Sequence, residues 1–499
     1  MRCFKHYLML LSTLLLLVFA CRKTDDFTTS GGDKLSFSSD TLRFDTAFTT
    51  VGSATRYIKV FNRNDKPIRI SKISLGNKAN AVYNLNIDGI PGRSFENVEI
   101  GANDSIYVFA EVNINPNAPL SISPFVISED IVFETNGNTQ KVVMEAWGQN
   151  ANYITLNRPL KANQFALDLG DKEVIWNDPK PYVLYGIVIF ANGTLVLPAG
   201  TRIYVHGGLL RDKDGSIYND GILAFLSNAK LDSRGTLERP VIIEGDRLEE
   251  EFKNTAGQWG GVILNSSDEN KMTHTIIRNS IVGVRADSGT QLAIKNCQFY
   301  NIEGNGLRFS RANVTVENSL VHTTGSNTVS IDYGGNYDFK YCSFSGLGTK
   351  ERAFSASNFL CTKKNPVSGG CVSGIPNPLS IKATNCIFYG SKEDEILFDD
   401  ITPNIKTNFK YAFKNCIVRA KDLVAKEGFP TFLTDCENCV QAVAQSKVFK
   451  KPSTRDYTLD TLSIAEMKAL PFPNILTDLN GKMRDLTKPD IGCYEYQYK

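Results

Sequence analysis

The residues best suited to chemistry are few and lie in short alternating runs. Arg308 and Ser310, then Ser330 and Asp332, then Asp399, are separated by apolar neighbours such as Phe309, Ile331 and Phe398. Strand side chains point alternately to opposite faces, so the polar members of each run share a surface while the apolar members face inward. Arg308, Ser330, Asp332 and Asp399 are therefore the candidate ligand face, a polar surface fit for sugar hydroxyls or for water. No carboxylate pair converges there, so no catalytic residue is identified. Asp399 and Asp400 are adjacent, which sends their side chains to opposite faces of a strand. His274 and His322 stand alone and read as structural or solvent-exposed. With 4 His in the chain, a His-rich metal centre is not expected. There is no nucleophile elbow, P-loop or dinucleotide fingerprint, and no cofactor is expected.

The chain has 11 Cys. Cys361 and Cys371 flank a Pro/Gly-rich stretch and suit a disulfide in an exported protein. Cys436 and Cys439 form a C-x-x-C with no βαβ pattern around it and no second ligand pair for zinc, which leaves a local disulfide or two free thiols. Cys297, Cys342, Cys386 and Cys416 share one sequence context and read as buried free thiols.

That context is a repeat. Ile277 to Val282 returns as Ile294 to Phe299, Val316 to Val321, Phe339 to Phe344, Ala383 to Phe388 and Phe413 to Val418. The Ser or Cys of each copy (Ser280, Cys297, Ser319, Cys342, Cys386, Cys416) steps by about 17, 22, 23, 44 and 30 residues. A unit near 22 residues suits one coil of a parallel β-helix with three short strands, and the longest step suits one coil plus an inserted loop over residues 360–378. The preceding column (Asn279, Asn296, Asn318, Asn385, Asn415) falls where the chain must bend, because Asn tolerates left-handed angles. Phe309, Ile331, Phe354 and Phe398 form a second inward column.

Several segments resemble right-handed parallel β-helix proteins of the pectin-lyase-like fold: Gly193 to Ile203, Gly221 to Ile243, Gln258-Trp259-Gly260-Gly261-Val262, and Thr477 to Arg484 with Pro489 to Tyr496. The resemblance covers roughly residues 154–496. It implies a helix over 151–450 with a terminal cap over 451–499. The fold hosts lyases, hydrolases and binding proteins, so it does not fix an activity. Lyases of the fold join a calcium-binding carboxylate cluster to an Arg or Lys base, and hydrolases set two or three Asp on adjacent coils; neither set is found here, and the polygalacturonase signatures are absent. The leucine-rich-repeat spacing is absent as well.

Upstream, runs at residues 57–61, 68–70, 106–112 and 142–147 alternate with period two. Turn pairs Asn64-Asp65, Asp88-Gly89, Asn103-Asp104 and Asn136-Gly137 separate them, the pattern of an antiparallel β-sandwich over residues 35–150. The last strand, Val142 to Gly148, resembles the closing strand of bacterial Ig-like modules. Such a module is either a glycan-binding unit or a spacer. The fold class is thus all-β: an Ig-like β-sandwich followed by a right-handed parallel β-helix.

The first residues carry Arg2 and Lys5, an apolar run from Leu8 to Ala20, and then Cys21. Ala20-Cys21 resembles the lipobox of bacterial lipoproteins, which implies removal of residues 1–20 and acylation of Cys21. Residues 21–34 would be a tether, with Lys23, Asp25 and Asp26 similar to a surface-export tag. The partner is then the lipid bilayer and the place the outer membrane, with exposure at the cell surface as what the export tag would imply. A net charge of +2 gives no reason to expect nucleic acid. A non-enzymatic role towards polysaccharide or an envelope protein is the first expectation; a lyase or hydrolase acting on a uronic-acid-containing glycan is the alternative.

Overall fold

A computed structural model describes residues 26–48, 55–76, 83–112, 127–149, 151–155, 167–207, 209–211, 217–219, 221–248, 250, 252–366, 370–425 and 428–496. The segment 1–20 and Cys21 lie outside the described residues. Contacts divide the chain into two units that meet between residues 150 and 151.

In the first unit the described strands form two sheets with one shared core. Strands Arg56–Asn62, Ser105–Val112 and Tyr83–Ile87 make the centre of one; Asn138–Gln149, Ile127–Thr135 and Ile68–Leu75 make the centre of the other. Their inward residues, among them Ile58, Val60, Val108, Ile70, Phe133 and Met144, are fully buried. Asp88-Gly89 and Asn136-Gly137 both take positive φ, the geometry of a tight hairpin turn. The pairing is not antiparallel throughout: Thr41–Phe48 lies parallel to Asn138–Gln149. Part of the expected tether, residues 21–34, is in contact with this unit. The Phe27 ring carries the Arg69 guanidinium at 4.1 Å, the Thr28 amide donates to the Pro67 carbonyl, and Asn138 donates to the Gly31 carbonyl. These contacts fasten residues 27–31 to the sandwich.

The second unit is a parallel β-helix. One representative coil runs Leu307–Ser310 on a first face, Asn313–Glu317 on a second and Leu320–Thr324 on a third, each pairing in parallel with the coil on either side. The corner between second and third faces is occupied by His274, Asn296, Asn318, Tyr341, Asn385, Asn415 and Asn438, with φ between 43° and 58°. This corrects the alignment of the first repeat. Thr273 pairs with Lys295, so His274-Thr275, not Asn279-Ser280, stacks on Asn296-Cys297. The odd first step was a misphased copy. Asn279 turns a different corner, where its amide donates to the Lys253 and Thr255 carbonyls.

The side chain after each corner points inward and closes a local hydrogen bond. Cys297, Ser319, Cys342, Cys386 and Cys416 each donate to the carbonyl two residues earlier, a group that also accepts the backbone N–H of the corner residue one coil before. Small Ser or Cys fits because the same interior holds Phe299, Phe339, Phe344, Phe354 and Phe388, all fully buried. In the second inward column Ile331 pairs with Ala356 and Ala356 with Phe398, so Ala356 takes the rung expected of Phe354. Phe354 points inward too, one pair earlier on that strand. Gly260 and Gly261 beside buried Trp259 are required: a Cβ on Gly261 would strike the Val282 carbonyl.

The end of the helix differs from the expected cap. After the strand at Ile417–Val418, two one-turn helices, Asp422–Ala425 and Phe432–Asp435, place Leu423 and Phe432 over the last coil's core. Residues 449–496 instead lie along the outside of the third face. Their Tyr457, Leu459, Ile475 and Ile491 cover outward-facing Leu320, Tyr341, Ile387 and Ile417. That face presents an apolar stripe to the outside, and a stripe of that kind must be covered.

Candidate functional site

The four residues of the expected ligand face divide three to one. Arg308 pairs with Ser330 across neighbouring coils, and Arg308 Nε donates to Asp332 Oδ2 at 2.9 Å. Ser330 Oγ donates to the other oxygen of Asp332 at 3.0 Å. Asp399 pairs with Ser357 two coils on, roughly 10 Å from Asp332 at ~4.8 Å per coil. Arg308 and Asp332 are each nearly half exposed, so their ion pair adds little stability. Its effect is to neutralise the surface.

The second face carries a groove of about 310 Å³ that runs along the helix axis over five coils. One bank is a ladder of amides and hydroxyls: Gln291 pairs with Asn313, Asn313 with Asn336 and Asn336 with Ser380. Asn336 Nδ2 donates to Asn313 Oδ1 at 2.7 Å. Thr315, Asp338 and Lys382 complete the groove's polar lining. Further along the same strands, outside the groove lining, Lys295 and Lys340 each lie 3.8 Å from Glu317. Glu269 is held by Lys271 at 3.0 Å and Asp338 by Lys340 at 2.8 Å. Every carboxylate named here has a cation, and each ladder amide offers a donor and an acceptor. This surface can bind hydroxyl groups but presents no acid or base ready for proton transfer.

A second cleft, of about 570 Å³, lies where the last coil meets the terminal helices. Phe409, Tyr411 and Phe429 line it, Asp399, Asp400 and Asp435 bring three carboxylates to it, and Lys406 and Lys410 stand among them. Asp435 accepts hydrogen bonds from Tyr411 at 2.8 Å and Thr431 at 2.7 Å. Burial and then the neighbouring Asp400 raise the Asp399 pKa; burial and the bond to Asp435 push the Tyr411 phenol up to about 12. Tyr411 holds an inward position of its strand, between Phe409 and Phe413 and paired with buried Ile381, so the alternation of that strand made it legible. Asp435 was not, because the terminal helices carry no repeat.

Two polar clusters on the third face escaped the sequence reading. Arg278 grips the buried Glu244 carboxylate, with Nε at 2.6 Å, and burial still raises the Glu244 pKa. His206 Nδ1 lies 2.6 Å from Asp246. Among the described residues no three His, Cys, Asp or Glu side chains converge as a metal ion requires. Cys361 bonds to Cys371 in the hairpin Phe359–Pro376, and Cys436 to Cys439 at the helix end.

Residues 241–359 match the family described as a right handed beta helix region, which gives the helix its hand. No curated protein matches the sequence. Among solved structures, a protein of unknown function from Porphyromonas gingivalis is 15% identical over 25% of this chain and 51% of its own, with a TM-score of 0.19. This chain therefore spans about half the length of that protein. A PapD-like domain of human CEP192 is 10% identical over 26% of this chain and 92% of its own, at 0.16. The catalytic unit of a GH87 alpha-1,3-glucanase from Streptomyces thermodiastaticus is 11% identical over 72% and 80%, at 0.23. Likenesses this faint carry no argument about chemistry.

Proposed function

We propose that this is a lipid-anchored protein of the bacterial outer membrane whose right-handed β-helix holds a polysaccharide strand without cleaving it. In this reading residues 1–20 are removed, acylated Cys21 inserts in the bilayer, and an Ig-like sandwich over residues 35–150 precedes the helix. The observation that carries the binding role is the axial groove of the second face. Its amide ladder repeats at the coil spacing, and its carboxylates are bound to lysines. Stable anchoring takes two or more acyl chains at ~0.8 kcal/mol per buried methylene.

The test is direct binding of the purified protein to neutral and uronic-acid polysaccharides, with product analysis of the same mixtures. Asn313→Ala combined with Asn336→Ala is expected to weaken binding about tenfold, as for the loss of one or two neutral hydrogen bonds. New reducing ends or ultraviolet-absorbing unsaturated products, abolished by Arg308→Ala or Asp399→Asn, would overturn the non-enzymatic role. They would favour a hydrolase or lyase instead. That second reading draws on one observation, the raised pKa of Asp399 in a cleft that also holds Asp435.

A further inference from the structure

The outward face of one sandwich sheet departs from what a solvated sheet needs. Positions opposite a buried apolar row are ordinarily Thr, Lys or Glu. Here Tyr57, Tyr107 and Phe109 are 57%, 44% and 37% exposed, while their strand neighbours Ile58, Val108 and Ala110 are buried. Tyr57 pairs directly with Phe109, and Lys59 with Tyr107. The three rings adjoin, with centroids 5.2, 6.0 and 6.1 Å apart; Tyr107 and Phe109 are stacked at 25°, and Tyr57 stands edge-on to both, at 73° and 61°. They make one contiguous aromatic patch, here called the platform, and not isolated surface aromatics.

Polar groups border the platform. Phe109 also pairs with Asn86, and Glu111 with Asn84, across the next strand. Together with Thr55 and Pro91 these residues line a cavity of about 380 Å³, within the ~300–1,000 Å³ usual for ligand sites. Asn84 Nδ2 lies 3.5 Å from Glu111 Oε1, too long to satisfy either group fully. At the opposite edge Lys59 stands over Phe61 and Tyr107, at 5.4 and 5.3 Å. Acid at one edge and base at the other leave no single sign of charge to select an ionic ligand.

We infer that this face is a second carbohydrate site, which takes a neutral polysaccharide by stacking pyranose rings on Tyr57, Tyr107 and Phe109. Asn84, Asn86 and Glu111 meet the hydroxyl rim. A sugar ring joins a flat hydrocarbon face to a polar edge, and aromatic rings beside amides match both. The site is independent of the groove on the helix.

The test uses the whole protein carrying Asn313→Ala and Asn336→Ala, so that the helix groove does not contribute. The probes are insoluble cellulose, chitin and α-glucan, and the readout is the fraction sedimenting with each. Retention on at least one is expected. Tyr57→Ala with Tyr107→Ala should weaken that retention about tenfold or more, and Asn86→Ala, which keeps the rings, severalfold. Circular dichroism and thermal melting should stay as in the parent. Failure to bind any of the three probes, or equal binding by the ring variant, overturns the inference. So does a parent that sediments as a dimer which the ring variant dissociates, because the platform would then be a protein interface.

Discussion

His322 shows how finely single residues are committed to this fold. Its ring lies between Tyr300 and Tyr457, at 5.0 and 4.3 Å, and Nδ1 meets the Thr323 hydroxyl at 2.8 Å. Burial, and then the charge of Arg455, lowers its pKa to about 3. The unfolded chain takes up this proton near pH 6.5, the folded chain only near 3, so the unfolded state binds more protons between those values. The resulting stability is intact above pH 6.5 and is lost as pH falls through that window. Wild type is expected to lose about 2–3 kcal/mol from this residue between pH 7 and pH 4.5, and His322→Gln should lack that part of the slope in urea titrations at the two pH values. The corner column is the residue pattern that sequence reveals best. Positive φ admits few residue types, and Asn stands at five of its seven positions. Of the two exceptions, His274 hid its coil, since it is not a residue that marks such a bend, whereas the coil of Tyr341 stayed legible through Cys342 and its flanking Phe residues. Asn438-Cys439 repeats Asn415-Cys416 one coil later, yet its C-x-x-C spacing reads from sequence as a local disulfide or two free thiols and not as a further rung.

Among elements, the C-terminal segment departs most from expectation. Its motif was legible as a terminus, but its position was not, because contacts between residues far apart in sequence leave no period. Arg484 is its main pin. One Nη donates to Asn318 Oδ1 at 2.7 Å and to the Gly492 carbonyl at 3.0 Å, the other lies 3.3 Å from Glu495, and the guanidinium rests 3.9 Å over Tyr341. Arg484→Ala would leave the largely buried Glu495 carboxylate without its cation. A loss of about 3–5 kcal/mol is expected in equilibrium unfolding of the helix. Arg484→Lys should recover little of it, because an ammonium cannot reproduce the fork. The groove was half legible for a related reason. Its outward alternation could be read from each strand, but the coil-to-coil register that makes Gln291, Asn313, Asn336 and Ser380 one ladder needed the hairpin at 359–376 to be removed from the count.

At the scale of the whole molecule the two units have separate apolar cores, one around Ile58 and Phe133, the other from Trp176 to Phe432. Two calorimetric transitions are expected. Ile58→Ala should lower the sandwich transition by about 2–5 kcal/mol and leave the helix transition in place, whereas a single merged transition shifted as a unit would refute that division. The return of the C-terminal segment along the third face has a consequence for biogenesis. Arg455 bonds to Asn254 across 201 residues and Arg484 to Asn318 across 166, so coils made early receive their covering only after much more chain has been synthesised. Until then a wet apolar seam travels with the nascent polypeptide. A chaperone that shields this seam in the meantime would be doing, for a time, the work that the protein's own later residues take over.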